Sequence, residues 1–263
     1  MSSKIVVGIA AHKQYEMPTD EMYLPIQVGA AGKASIDDYQ RDDEGDNISQ
    51  KNPYYSELTA TYWLWKNVQG ADYKGLVHYR RHFSKLAKFS QFKQGRFGDV
   101  LDTSTLMHAL EKANVVVPEP RNYRIETLYS HYEHSHNIRD LDTTVEIIRE
   151  LTPEYADSFE KVLKGTSAHM FNMYIMKADL FDQYAEWMFR ILFELEQRID
   201  ISGYDRQEAR VYGYVSELML DAWLDTNKIV PAELPVMFME KQSWVKKGSS
   251  FIMRKLRGSS NTK

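Results

Sequence analysis

The stretch from Asp46 to Phe83, DNISQKNPYYSELTATYWLWKNVQGADYKGLVHYRRHF, constrains the fold of this chain more than any other. A polar loop rich in Asp and Asn runs into an aromatic segment, Tyr54 to Asn67. There Leu58, Tyr62, Leu64 and Trp65 recur at a spacing that predicts one apolar helical face. A short turn follows, and Gly75 to His78 reads as a buried strand that finishes on His78-Tyr79-Arg80-Arg81. A buried strand has little reason to end on a histidine and two arginines unless they face negative charge. Guanidinium groups grip phosphate oxygens through bidentate hydrogen bonds, and α/β sheets bind ligands beyond the carboxyl ends of their strands. The segment therefore predicts a phosphate-bearing ligand at a sheet mouth. Its other reading is an exposed strand end salt-bridged to Asp42, Asp43 and Asp46.

The rest of the chain alternates in the same way. Lys4 to Ala10 and Tyr23 to Gly29 read as strands, and Ala30 to Gln50 as a loop crowded with Gly, Asp and Asn. Ser104 to Lys112 reads as a helix and Asn114 to Val117 as a strand. Ile125 to His134 and Thr143 to Leu151 read as helices, and a further helix starts at Thr152 as N-cap with Pro153 at its first position. His169 to Met176 reads as a strand, Asp179 to Leu195 and Val211 to Leu224 as helices, and Ile229 to Met239 as extended chain. Strands alternating with helices predict an α/β fold, a three-layer α/β/α sandwich. Irregular spacing disfavours a TIM barrel. Neither GxGxxG nor GxxxxGK[ST] is present, which leaves dinucleotide and P-loop folds unsupported.

No Gly/Ser/Pro-rich linker divides the 263 residues, so one domain over 1–240 with a basic tail over 241–263 is expected. A formal charge of −4 argues against nucleic acid as a partner. The absence of cysteine excludes a disulfide framework and a thiolate metal site. No apolar run approaches the roughly 18–20 residues that span a bilayer, and a cytoplasmic location is expected. The 17 Tyr and 5 Trp suit stacking on sugars and bases as well as core packing.

Several polar residues carry chemistry on one reading and structure on another. The carboxylates between Asp37 and Asp46 suit a hard divalent cation or form a solvated loop. Asn52, Glu57 and Thr59 either face the sheet mouth or supply an ordinary helix start. His169 and Asn172, in an apolar segment, either bind sugar hydroxyls or satisfy a neighbouring loop. Glu217 and Asp221, one turn apart, offer a general base or a solvated face. In the tail, Lys246, Lys247, Arg254, Lys255 and Arg257 flank Phe251-Ile252-Met253, a composition that suits weak contact with an anionic membrane surface. No GxSxG or HExxH is present.

Residues IAAHK (9–13), VGAAG (28–32), DNISQKNPYYSELTATYWLWKN (46–67), GLVHYRRHF (75–83), FNMYIMKADLFDQYAEWMF (171–189) and RVYGYVSELML (210–220) resemble, in the same order, a family of bacterial glycosyltransferase domains from capsule and O-antigen gene clusters, long catalogued as an uncharacterised domain. The resemblance implies a GT-A-like domain that uses a nucleotide-diphosphate sugar, with relatives similar to inverting galactofuranosyltransferases that use UDP-galactofuranose. It implies a donor site at Ala10, Ala11, His12 and Lys13, with Asp46, Asn47, Asn52, Glu57, His78, Tyr79, Arg80 and Arg81 around the nucleotide and diphosphate. His169 and Asn172 are expected on the acceptor side, and Glu217, then Asp221, as the base. Where GT-A enzymes place a metal-binding Asp-x-Asp, this chain has His78-Tyr79-Arg80-Arg81. No cofactor is therefore expected, with a divalent metal as the less favoured alternative. The expected acceptor is a lipid-linked or oligosaccharide glycan, reached at the inner face of the membrane. Other readings are a carbohydrate- or nucleotide-binding module without catalysis, and a nucleotidyltransferase.

Overall fold

The computed structural model describes residues 3–88 and 93–240. The tail expected to touch membrane lies outside the described residues. In chain order the elements are β1 (Ile5–Ala11), β2 (Tyr23–Gln27), β3 (Gln40–Arg41), α1 (Asn52–Tyr55), α2 (Leu58–Asn67), β4 (Tyr73–His78), β5 (Arg81–Phe83), α3 (Thr103–Leu110), β6 (Val115–Pro118) and β7 (Arg121–Asn122). They continue with α4 (Leu128–Ser135), α5 (Ile138–Leu151), α6 (Ala156–Lys164), β8 (Ser167–Ala168), β9 (Tyr174–Lys177), α7 (Ala178–Arg198), α8 (Val211–Ser216), α9 (Met219–Thr226), β10 (Ala232–Leu234) and β11 (Val236–Phe238).

The central sheet runs β10-β6-β9-β4-β1-β2-β3. β1 lies parallel to β2 and β4, while β9 is antiparallel to both β4 and β6. Alternation along the strands explains why both faces are covered. Ala10, Leu76, Val115, Val117, Tyr174 and Met176 enter one core with α2, α7, α8 and α9. Val7, Ile9, Val77, Val116 and Ile175 enter the other, with Leu106 and Leu110 of α3 and Met237 of β11. The sandwich is thus three-layered but unequal, one side carrying most of the helices. Gly8 lets α2 lie close on β1: a Cβ there would come within 2.8 Å of Ile26 and Leu64 side chains.

Four expected elements are interrupted. The helix expected over Tyr54–Asn67 breaks at Ser56, whose φ of 53° and ψ of −130° end α1 before α2 begins. The helix expected over Val211–Leu224 divides into α8 and α9, with Glu217 and Leu218 between. The strand expected from His169 begins only at Tyr174, because Phe171 (φ 83°) and Asn172 (φ 49°) take left-handed conformations. The strand expected to finish on Arg81 ends at His78. Tyr79 and Arg80 form a two-residue turn, and Arg81 opens β5, which returns antiparallel.

Two helix starts also differ. The helix expected from Ile125 starts at Leu128, where the Thr127 hydroxyl caps Ser130 N at 3.1 Å. Thr152 does not cap the helix after it: its hydroxyl donates toward Ile148 O and accepts from Trp187 Nε1 at 3.2 Å.

Candidate active site at the sheet mouth

β1, β2 and β4 end on the same side of the sheet, and the interruptions of the chain gather there. Asn172, 3% exposed, holds them together. Its Nδ2 donates to Glu57 Oε1 at 2.7 Å and to Gly213 O of α8 at 3.1 Å, and its Oδ1 accepts from Ser216 Oγ at 3.1 Å. His78 Nε2 donates to the Phe171 carbonyl at 2.5 Å. Gly213 lies against Ser56, so that a Cβ would sit 3.5 Å from Ser56 Cβ. Backbone strain of this kind, gathered at one place, marks a functional site.

Glu217, in the break between α8 and α9, is half-buried, and its carboxyl makes no hydrogen bond among the described residues. Burial raises its carboxyl from the ordinary 4.5 to about 7, and neighbouring Glu57 adds to the rise; Arg81, Arg121 and Arg210 pull the other way. A carboxylate poised near neutrality suits proton transfer. The arginines hold their places by stacking. The Arg81 guanidinium lies 4.6 Å from the Phe171 ring centre, Arg121 lies 5.0 Å from Tyr123, and Arg210 lies 5.5 Å from Tyr214. Arg210 Nε also donates to Ser56 Oγ at 2.8 Å. None of the three closes into an ion pair among the described residues, leaving guanidinium donors for an anion. Burial lowers the His78 imidazole, helped by Arg81 and Arg210, against the opposing pull of Glu57 and the Phe171 bond.

A second cationic group lies at the end of β1. His12 packs edge-on against Tyr79 at 5.2 Å, and Tyr15 meets Tyr79 at 4.3 Å. Arg80 lies over Tyr79 at 4.9 Å and pairs with Glu240 at 3.1 Å, while Lys13 lies over Tyr15 at 5.0 Å. Partial enclosure lowers the His12 imidazole, and Arg80, Lys13, Lys33 and Arg206 all add to the fall. Arg80 and Arg81 thus have different neighbours, Tyr79 and Glu240 for the one and Phe171 and Phe238 for the other. Ala10 and Ala11 are buried beneath, their carbonyls accepting from Tyr79 N at 3.2 Å and Val28 N at 2.9 Å.

Other expected site residues lie elsewhere. Asp46 pairs with Asn67 at the far end of α2: Asp46 N donates to Asn67 Oδ1 at 3.1 Å and Asn67 Nδ2 to Asp46 O at 2.8 Å. At about 1.5 Å per residue, that end is on the order of 15 Å along the helix from Glu57. Asn47 caps its own turn, donating to Asp43 O and Gly45 O. Asn52 Nδ2 ties Ser56 O at 2.7 Å and Thr59 Oγ1 at 3.2 Å.

The acidic loop does not salt-bridge Arg80 or Arg81. Asp42 is fully buried, accepting from Gly29 N at 2.7 Å, Ala30 N at 2.9 Å, Thr59 Oγ1 at 2.6 Å and Ser49 Oγ. Asp43 pairs with Arg41 at 2.7 Å. Among the described residues no three His, Asp or Glu side chains gather as a metal site.

Asp221 accepts from both His169 N (3.0 Å) and His169 Nδ1, while His169 Nε2 donates to Glu233 Oε1 at 3.2 Å. Burial alone lowers the His169 imidazole, but these two carboxylates outweigh it and raise it. Asp221 is therefore engaged with His169 at both its backbone N–H and its ring. The sequence reading missed Arg121, Arg210, Lys33 and Arg206. Arg210 had a signal, lying two helical turns before Glu217; Arg121 follows the carboxyl end of β6; Lys33 and Arg206 had none.

A structure titled "WbbM bifunctional glycosytransferase apo structure" superposes on this fold with a TM-score of 0.83 and 30% identity over 90% of the chain. The chain spans less than half of that protein, 46% of its length. The shared architecture is GT-A-like: a mostly parallel sheet flanked by helices with its site at the strand ends. No curated protein sequence matches. The family model described as "Domain of unknown function (DUF4422)" matches residues 4–228, nearly the whole described chain, and the chain belongs to that family.

Proposed function

We propose that the chain is an inverting glycosyltransferase that uses a UDP-sugar, UDP-galactofuranose first among donors, and a hydroxyl of a glycan in capsule or O-antigen assembly. The observation that carries this reading is Glu217: a half-buried carboxyl held near neutrality amid arginines at the carboxyl ends of parallel strands. The acceptor hydroxyl gives its proton to Glu217 as its oxygen bonds to the anomeric carbon. The bond from that carbon to the diphosphate breaks on the opposite face, and UDP leaves with the electron pair. Arg81 and Arg80, with Lys13, stabilise the charge that develops on it. The nucleotide rests against His12, Lys13 and Tyr79 above Ala10 and Ala11. His169 and Asn172 support the acceptor side from behind.

Among the described residues no helix is long and apolar enough to cross a membrane. Contact with the inner face through the basic tail rests on composition alone. Incubation with UDP-galactofuranose and a glycan acceptor, followed by mass analysis, tests the function. Free UDP with a glycosylated product is expected. Release of pyrophosphate, or binding without turnover across nucleotide sugars, would replace it with a nucleotidyltransferase or a binding module.

A further inference from the structure

Asn172 and Glu57 are more closely tied to Glu217 than a ligand-binding role requires. Asn172 stands at φ 49°, in the left-handed region that asparagine enters more readily than most side chains. Both N–H groups of its amide are taken, by Glu57 and Gly213, and its oxygen accepts from Ser216. Gly213 and Ser216 belong to α8, and Glu217 follows directly. Glu57 is the residue before α2, just past the Ser56 break. One side chain therefore joins the segment that leads into one carboxylate to the other carboxylate, at the start of α2. The Asn172 amide thus fixes where the Glu57 carboxylate sits.

We propose that Asn172 and Glu57 are positioning residues: the Asn172 amide pins the Glu57 carboxylate to the α8 segment that leads into Glu217, and Glu57 held there sets the pH at which Glu217 takes up its proton. This rests on the reading of Glu217 as the base. The groups that interact electrostatically with Glu217 come from several elements: Glu57 before α2, Arg81 on β5, Arg121 on β7, Tyr123 after it, Arg210 before α8 and Tyr214 within α8. The three arginines favour ionised Glu217, and Glu57 opposes them. With Glu57 removed, the arginines act alone, and Glu217 gives up its proton at lower pH. Strict pairing with the arginines would leave a weak base. Glu57 keeps Glu217 basic enough to accept a hydroxyl proton near neutrality.

The test is a carboxyl ¹³C NMR titration of Glu-labelled full-length protein, which needs no substrate, beside UDP release from UDP-galactofuranose across pH. The resonance missing in Glu217→Gln identifies the group. In wild type it is expected to titrate near neutral pH. In Glu57→Gln the same resonance should titrate at lower pH. The acid limb of the activity profile should follow, so that one pH unit below the wild-type midpoint, where about a tenth of the base is ionised, the variant keeps at least about twice the wild-type fraction of its own plateau. Asn172→Gly, which accepts the left-handed backbone but removes the amide, should move the midpoint in the same direction. A purely structural role would lower the melting temperature and the plateau without moving the midpoint. An unmoved resonance in both variants overturns the inference. Full turnover in Glu217→Gln would instead refute the base assignment itself.

Discussion

Replacing Glu217 with Gln should remove activity and, at the same time, make the protein more stable, and the pH at which the second effect appears is set by the structure. In the unfolded chain a glutamate titrates near 4.5, and in the folded protein burial raises Glu217 to about 7. A carboxyl raised on folding contributes no penalty below pH 4.5, where it is protonated in both states. Between 4.5 and 7 the unfolded chain ionises while the folded protein stays protonated, so stability falls as pH rises. Above 7 the loss is complete. At about 1.4 kcal/mol per pKa unit, the full penalty is on the order of 3 kcal/mol. Glutamine keeps the shape without the charge, so Glu217→Gln should match wild type at pH 4. At pH 8 it should exceed wild type by about 1–3 kcal/mol, the lower end allowing for solvent contact at this half-buried position. Urea unfolding at a series of pH values measures this directly. Turnover should fall by about 100- to 10,000-fold, the usual contribution of a general base. A stability difference that is flat from pH 4 to 8 would falsify the raised carboxyl. Near-wild-type turnover would place the base elsewhere.

Three further outcomes are expected. Arg81→Ala, which removes a half-buried guanidinium with no ion pair among the described residues, should weaken UDP binding by about 1.5–3 kcal/mol in calorimetry. Arg80→Ala should weaken it less, because Arg80 is exposed and paired with Glu240, and unchanged affinity in both would refute the diphosphate role. Asp42→Ala should cost on the order of 3 kcal/mol or more in unfolding experiments, since it orphans the buried N–H groups of Gly29 and Ala30 and the hydroxyls of Ser49 and Thr59; a loss under 1 kcal/mol would show that the 29–49 loop does not depend on this carboxylate. Activity should persist in EDTA, because Asp42 and Asp43 are engaged within the loop and arginines stand at the mouth; loss in EDTA with recovery in Mn²⁺ would refute this.

What the sequence alone determined was the alternation of the chain. KIVVGIA, GLVH and VVVP are apolar on both faces, and only a strand covered on both sides buries them fully, so an α/β sandwich followed from composition and period. The basic end of β4 was legible for the same reason: arginines after a buried run must lie where the sheet meets solvent. The tertiary structure decided what periodicity is blind to. Ser56, Asn172 and Glu217 sit in segments whose apolar spacing continues through them, yet each marks a break. A break becomes worthwhile only through distant partners, as when Asn172 meets both Glu57, 115 residues away, and Gly213, 41 residues away. Asp42 and Glu217 carry the same functional group, and nothing local distinguishes them. Asp42 is surrounded by four hydrogen-bond donors and serves as structure. The Glu217 carboxyl is enclosed without a donor among the described residues, which is why its proton affinity rises.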